Sequence, residues 1–505
     1  MRTFVLGIDL GTSSLKATIM DGESGHIHAE SADLSVSYPD SFSAEQDPRD
    51  WWSAFLAVMQ KVKNRIGNLS QIRGIGLSGQ MLGLTLVNEH GDAVRPCLIW
   101  CDQRSYAEVE QLKENPGIEA LLRYTSNTPL TGYWLPKIMW LRKHEPGSLA
   151  KTRKFLLPKD YLRFKLTGEY MSEVSDASLT LVFDVAKRRW SRDIINMFDI
   201  DRDLLPQVVE STEITGTVSA QVSEETGLAE GTPVVGGGGD QSSGGIGLGT
   251  IREGLVSCVL GTSGVVMART GEAKQDTLNR GLHSCCYSIP NTWFLMGCTL
   301  AAGGSYHWFH DALEEIRPGL TYDQMNRLAE GVPAGSGGLL YLPYLIGERT
   351  PHSDPNARGA FFGLNYQHRT GHMVRAVLEG VAFSQKESVE ILRSFGMATE
   401  QMILAGGGAR SPLWCQIMAD VVGMNVVTTN IDDPASIGAG IIAAVGTGMF
   451  SNFEEACGKF ISSAKSYEPR KENVERYDLL FPQYQQLYAA LKQSFRDLSK
   501  VQDGL

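Results

Sequence analysis

The chain has 505 residues, 42% apolar and 20% charged, the balance of a soluble globular protein long enough for two large domains. Its 46 basic and 57 acidic side chains leave a formal net charge of −11, which argues against non-specific binding to nucleic acid or to an anionic membrane surface. Local clusters of backbone N–H groups can still hold an anion in an acidic protein, and the 54 glycines gather in a few such clusters.

None of the eight cysteines forms Cys-x-x-Cys and their spacings fit no zinc pattern, so reduced structural thiols are expected. The apolar run that opens at Met1-Arg2 is interrupted by Asp9, so it reads as a strand and not as a signal peptide. No apolar run approaches the ~18 residues that cross a bilayer. A cytoplasmic protein with neither a membrane nor a nucleic-acid partner is the expectation.

In chain order, residues 3–10, 15–20 and 26–31 read as a three-strand meander. Asp47 is the N-cap of a helix that Pro48 opens, with Trp52, Phe55, Leu56, Met59, Val62 and Ile66 at helical spacing. A buried strand at 72–78 ends in Gly79-Gln80-Met81-Leu82-Gly83; extended pieces follow at 84–87 and 98–100, then mostly helix over 104–150 and a further helix opening at 156–161. Residues 172–176 read as loop, and 233–235 as a strand running into Gly236 to Gly239 and then Asp240. The boundary between two lobes, 1–247 and 248–505, is placed there. The second lobe restarts the pattern with strands near 254–260, 264–270 and 282–289. Helices are predicted at 299–316, 370–395, 411–423 and 434–447, a buried strand at 402–405, and a closing amphipathic helix at 473–500. Each lobe gives a meander and then alternating helices and strands, an α/β pattern.

One short stretch occurs twice. Leu10-Gly11-Thr12-Ser13 and Leu260-Gly261-Thr262-Ser263 each join two apolar β-runs. Small residues let backbone N–H groups approach an anion closely and the hydroxyls add donors, so two such turns facing each other would grip a polyphosphate. Asp9, at the end of an apolar strand, reads either as a carboxylate holding Mg²⁺ through water or as a turn cap. Gly406-Gly407-Gly408-Ala409 follows a strand and precedes a helix; it would carry a nucleotide's adenosine or merely allow close packing. Asp240 follows four glycines and opens a helix, which suits a general base and equally an N-cap.

These motifs stand in the order of the FGGY carbohydrate kinases, which the chain resembles over nearly its whole length. Gly359-Ala360-Phe361-Phe362-Gly363-Leu364, with His372 and Glu379, matches the second signature of that family; 132–144 matches the first in part, with Lys137 and Trp140 in place and Trp134 departing. Ser-Ala-Glu-Gln-Asp-Pro at 43–48, the Leu-Pro-Lys-Asp-Tyr-Leu at 157–162 and the stretch at 342–352 resemble its ketopentose-phosphorylating members. The resemblance implies two actin-like (ribonuclease-H-like) domains with Mg·ATP in the cleft between them and a ketose on the first lobe. It implies Asp240 as catalytic base and Asp9 at the metal. Gly11, Thr12, Ser13, Ser14, Lys16, Gly261, Thr262, Ser263, Gly303, Gly407, Gly408 and Ser411 would lie at the nucleotide. Gln80, Met81, Leu82, Trp100, Asp102 and Gln241, with Asp240, would lie at the sugar. D-xylulose phosphorylated to D-xylulose 5-phosphate is the expected reaction. Another ketose or a polyol stays open because Leu82 stands where such members carry His, and Gln241 where Asn is common. A non-catalytic nucleotide switch is the rival of another class, and a homodimer is expected by family analogy alone.

Overall fold

The computed structural model describes residues 3–278 and 280–503; the reading at Met1-Arg2 lies outside them. The first apolar run is strand β1 (Phe4–Leu10), buried along its whole length. A turn leads into β2 (Ser14–Asp21) and then β3 (Ile27–Asp33), and the three pair antiparallel. Asp47 caps helix α1 (Pro48–Ile66) by accepting the Arg49 N–H, and the helix lays Trp51, Phe55, Val58, Met59 and Val62 on the sheet. Strand β4 (Ile72–Gly79) runs parallel to β1. With β5 (Ile214–Thr217) and β6 (Pro233–Val235) the sheet reads β5-β6-β4-β1-β2-β3, and Gly238–Gly239 also pairs with β4.

The second half repeats this path. Its strands are β7 (Gly254–Leu260), β8 (Gly264–Thr270), β9 (Leu282–Cys286), β10 (Trp293–Thr299), β11 (Thr399–Ala405), β12 (Asn425–Thr429) and β13 (Ser463–Tyr467), in the order β9-β10-β8-β7-β11-β12-β13. In both sheets a central strand, β1 or β7, pairs antiparallel across a Gly-Thr-Ser turn on one side. On its other side it pairs parallel with a strand from much later in the chain, β4 or β11. Two halves with one topology are the α/β architecture that the repeated turn predicts.

Several elements differ from the sequence reading. The 104–150 stretch is broken into helices Tyr106–Lys113, Ile118–Thr125, α2 (Trp134–His144) and Pro146–Ala150, with an irregular segment at 126–133. Residues 172–176 are not loop: strand Met171–Glu173 runs into a single helical turn, Val174–Ala177, because Glu173 accepts the N–H groups of Ser175 and Asp176. Strands β10, β12 and β13 have no counterpart in the sequence reading; the expected strand at 282–289 is present as β9, ending at Cys286, and pairs antiparallel with β10.

The halves interlock through two helices, α3 (Asp240–Gly247) and α7 (Pro434–Gly446), the numbers leaving room for α4 (Gly303–Glu314), α5 (Thr370–Ser394) and α6 (Pro412–Val422) between them; α8 (Lys471–Asp503) closes the chain. A Cβ on Gly247 would stand 1.9 Å from the Pro434 carbonyl oxygen, and one on Gly438 1.8 Å from that of Ser243. The α7 helix, from the second half, lies on the first sheet: a Cβ on Gly7 would stand 1.9 Å from the Ser436 oxygen, and Thr18 and Ser436 share a 2.6 Å hydrogen bond. The α3 helix reaches the second sheet, where a Cβ on Gly245 would meet Met267 at 2.1 Å. Glycine is thus required at the helix pair by backbone contact. Gly438→Ala is expected to cost about 3 kcal/mol or more in urea unfolding through overpacking, while Gly147→Ala, with open space around it, stays within about 1 kcal/mol.

Candidate active site

The first Gly-Thr-Ser turn is closed by the Gly11 N–H, which donates to the Ser14 carbonyl at 3.0 Å. Thr12 Oγ1 donates to Gln80 Oε1 at 3.3 Å and accepts the Trp100 indole N–H at 3.0 Å. Gln46 ties the same turn down, donating to the Thr12 carbonyl at 2.7 Å and accepting from Gln80 at 2.6 Å. The expected phosphate turn and the expected sugar-side strand end are therefore one hydrogen-bonded unit. Trp100 stays 43% exposed.

The second turn is held by the start of α4. Gly261 and Thr262 carbonyls accept the N–H groups of Ala302, Gly303 and Gly304 at 2.8–3.0 Å. A Cβ on Gly303 would stand 2.4 Å from the Gly261 oxygen. The Gly406–Ala409 run divides the two readings it allows: Gly406, at φ 82°, and Gly408 pack on Leu260, whereas a Cβ on Gly407 would meet only the Leu260 carbonyl oxygen, at 4.0 Å. Ser411 is the N-cap of α6, its hydroxyl accepting the Trp414 N–H.

Asp240 is the first residue of α3, and the cap is Gly239, so the N-cap reading of Asp240 does not hold and its carboxylate is left for other work. The glycines before it are needed for close approach: a Cβ on Gly237 would meet the Leu77 oxygen at 1.9 Å, and one on Gly239 would meet Met81 at 2.8 Å. Enclosure pushes the Asp240 pKa up to about 6, against hydrogen bonds from Gln241. Asp240, Gln241, Asp9, Gly261 and Ser263 line one cleft of about 270 Å³.

At the sugar-side strand end Gln80 and Met81 are buried, and Leu82 takes the left-handed conformation, φ 73°, rare for a branched side chain. The fully buried Lys137 pins that loop, donating to the carbonyls of Leu82, Leu98 and Ile99 at 3.0–3.1 Å, and Trp134 donates to the Gly83 carbonyl at 2.8 Å. Burial lowers the Lys137 pKa to about 8. Trp134, the departure in the first signature, thus has a structural task there. Asp102 is not presented to the cleft: it is wholly buried, accepting the Ala44 N–H at 2.8 Å and pairing with Arg104 at 2.9 Å. Its part is to fix the strand end that carries Trp100.

Sequence reasoning missed Asp433. It lines the same cleft, heads α7 as Asp240 heads α3, and lies 3.5 Å from Lys16. The signal was an Asp-Pro pair opening a glycine-rich helix. Burial first, then the charges of Asp433 and Asp240, push the Asp9 pKa up to about 7. Asp9 Oδ1 is buried without a hydrogen-bond partner. An orphan carboxylate oxygen in a cleft that two further carboxylates line fits a hard divalent cation; Asp9 would hold it, and its charge would favour the ionised form of all three.

Two lobes of one topology, with a cleft lined by the end of β1 and by the second small-residue turn, define the actin-like class of nucleotide-binding folds. The model of the FGGY family of carbohydrate kinases, N-terminal domain, matches residues 4–247, and that of its C-terminal domain matches 256–447. The chain is 37% identical to the xylulose kinase of Bacillus subtilis (strain 168), over 97% of each chain. It is 34% identical to that of Escherichia coli (strain K12), over 94% of this chain and 99% of the other. The solved structure described as a xyloylose kinase from Brucella ovis superposes with a TM-score of 0.91 at 34% identity, over 97% of this chain and 99% of that one. The chain belongs to the FGGY family of carbohydrate kinases, which use ATP. No helix among the described residues is long and apolar enough to cross a membrane. Lys137→Met should leave the Leu82 carbonyl without a donor and take a second donor from those of Leu98 and Ile99, costing about 1–3 kcal/mol of stability; in steady-state assays the sugar KM rises roughly tenfold or more while the ATP KM holds.

Proposed function

We propose that this protein transfers the γ-phosphoryl group of ATP to the terminal hydroxyl of a ketopentose, converting D-xylulose to D-xylulose 5-phosphate. The observation that carries the reading is the cleft in which Asp240, poised near pH 6, shares a wall with Asp9 and the second turn. The relatives named xylulose kinase, matched over nearly their full length, support the choice of sugar. In this reading residues 1–247 carry the sugar and 248–505 the nucleotide, and the enzyme is cytoplasmic and forms a homodimer.

Asp240 accepts the proton of the sugar hydroxyl as its oxygen bonds to the γ-phosphorus. The bond to the β-phosphate oxygen breaks, ADP departs, and Asp240 releases the proton to solvent. A base with a pKa near 6 is ionised at neutral pH yet still basic enough to accept. The backbone donors of Thr12, Ser13, Thr262 and Ser263, the hydroxyls of Ser13, Thr262 and Ser263, and Lys16 take up charge on the phosphoryl oxygens. Mg²⁺ at Asp9 would supply further neutralisation of that charge. Gly407, Gly408, Gly303 and Ser411 border the adenosine. Met81, Leu82, Trp100 and Gln241 surround the sugar, with Gln80 behind them.

One observation favours a second reading, another ketose or a polyol: Leu82 is apolar and held by Lys137 in a fixed conformation, so it offers no hydroxyl partner. A panel of ketoses and polyols assayed with wild type and Leu82→His tests this. The His variant is expected to shift kcat/KM ratios across the panel about tenfold, and unchanged ratios reject a role for Leu82. Asp240→Ala is expected to lower kcat roughly 10²–10⁴-fold with ADP binding retained. In wild type kcat/KM falls on the acid side, below about pH 6, as Asp240 takes up its proton; a full-rate Ala variant would remove Asp240 from the mechanism.

A further inference from the structure

A second cavity, about 310 Å³, opens between the lobes where Pro129 and Leu130 of the first face His283, Leu300, Glu348 and Arg349 of the second. It adjoins the catalytic cleft. Val265, which lines that cleft, is the cross-strand partner of Cys298, and the Cys298 thiol feels both the Arg349 guanidinium and the Asp240 carboxylate. Tyr133, next to the Gly132 that packs on Leu82, fixes the lining residue His283 by a 2.7 Å hydrogen bond.

The polar groups here are built and only partly used. Glu348 is 2% exposed; one carboxyl oxygen accepts the N–H groups of Leu300 and Arg349 at 2.9 and 2.7 Å, and the other is buried with no hydrogen-bond partner. Burial keeps its proton on at neutral pH, so it can donate. Arg349, half-buried, faces neutral neighbours: the Tyr133 hydroxyl, the Cys298 thiol and His283, which burial holds uncharged. A buried carboxyl oxygen without a partner, beside a planar cation whose side-chain hydrogen bond is to the Cys298 thiol and which has further N–H donors to give, calls for a ligand's oxygens.

We propose that Arg349 and Glu348 of the second lobe bind the carbonyl-bearing end of the ketose, so that the sugar is gripped by both lobes and read from the side opposite Leu82. This rests on the ketose reading above. With the terminal hydroxyl at Asp240, the other end of the sugar lies away from the phosphate turns. A guanidinium there can donate to the carbonyl oxygen, and Glu348 can donate to or accept from a neighbouring hydroxyl. Polar discrimination lost at Leu82 is thereby supplied from the other wall, and an unpaired buried polar group penalises any ligand lacking the matching oxygen.

Calorimetric titration of D-xylulose and of ADP into wild type, Arg349→Met, Arg349→Lys and Glu348→Gln, with kcat/KM for the ketose and the corresponding polyol, tests this. The expected result is a 10–100-fold weaker Kd for the ketose in Arg349→Met and a smaller loss in Arg349→Lys and Glu348→Gln. ADP affinity stays within twofold, and the ketose-to-polyol preference falls. Unchanged ketose affinity in Arg349→Met and Glu348→Gln, or equal weakening of ketose and ADP in both, overturns the assignment while leaving the proposed function standing. A wild type that binds no ketose overturns both.

Discussion

Everything at the cleft depends on two helices approaching backbone to backbone. A side chain at Gly247 or Gly438 would overlap the facing carbonyl by more than 1 Å of ordinary contact, as distances of 1.8–1.9 Å show. Because α3 and α7 meet this closely, the acids that head them, Asp240 and Asp433, enter the same cleft as Asp9. Gly7 and Gly76 let α7 settle on the first sheet by the same device. The duplicated topology thus becomes one site, because the first half lends α3 and the second half α7 to the other.

That arrangement brings three carboxylates into one cleft: burial first, then the charges of Asp433 and Asp240, raise the pKa of Asp9, and burial raises that of Asp240. In the free protein the crowding is relieved by protons and by Lys16; cation and nucleotide would relieve it in the working complex. The strand end at 79–83 is built differently. Its loop gains precision from buried donors, Lys137 and Trp134, and from the chain Trp51–Gln46–Gln80–Thr12–Trp100, which joins that strand end to the first Gly-Thr-Ser turn. A displacement at Trp100 is therefore felt at Thr12.

The duplicated turns, α1 with its Asp47 cap, and Asp240 behind its glycines were legible because each rests on local chemistry: alternating burial, a capping oxygen, small residues at a tight approach. The long helices α5 and α8 were legible for their periodicity. What escaped reading depends on partners distant in sequence. Asp433 gains meaning only opposite Asp9 and Lys16, more than 400 residues away. Asp102 resembled a site residue in sequence because nothing local reveals that Ala44 and Arg104 consume its oxygens. Trp134 resembled a departure because the Gly83 carbonyl it satisfies lies in another element. Within the family, charge and turn chemistry identify a kinase more readily than they identify its sugar, since the sugar is read by side chains whose orientation the fold decides.

A crystal structure with a non-hydrolysable ATP analogue and the ketose puts the central claim to its most direct test. The account predicts the γ-phosphorus between the 11–14 and 261–263 turns, facing Asp240 with the sugar's terminal oxygen between them. A nucleotide whose γ-phosphorus contacts only one turn, or points away from Asp240, would contradict it.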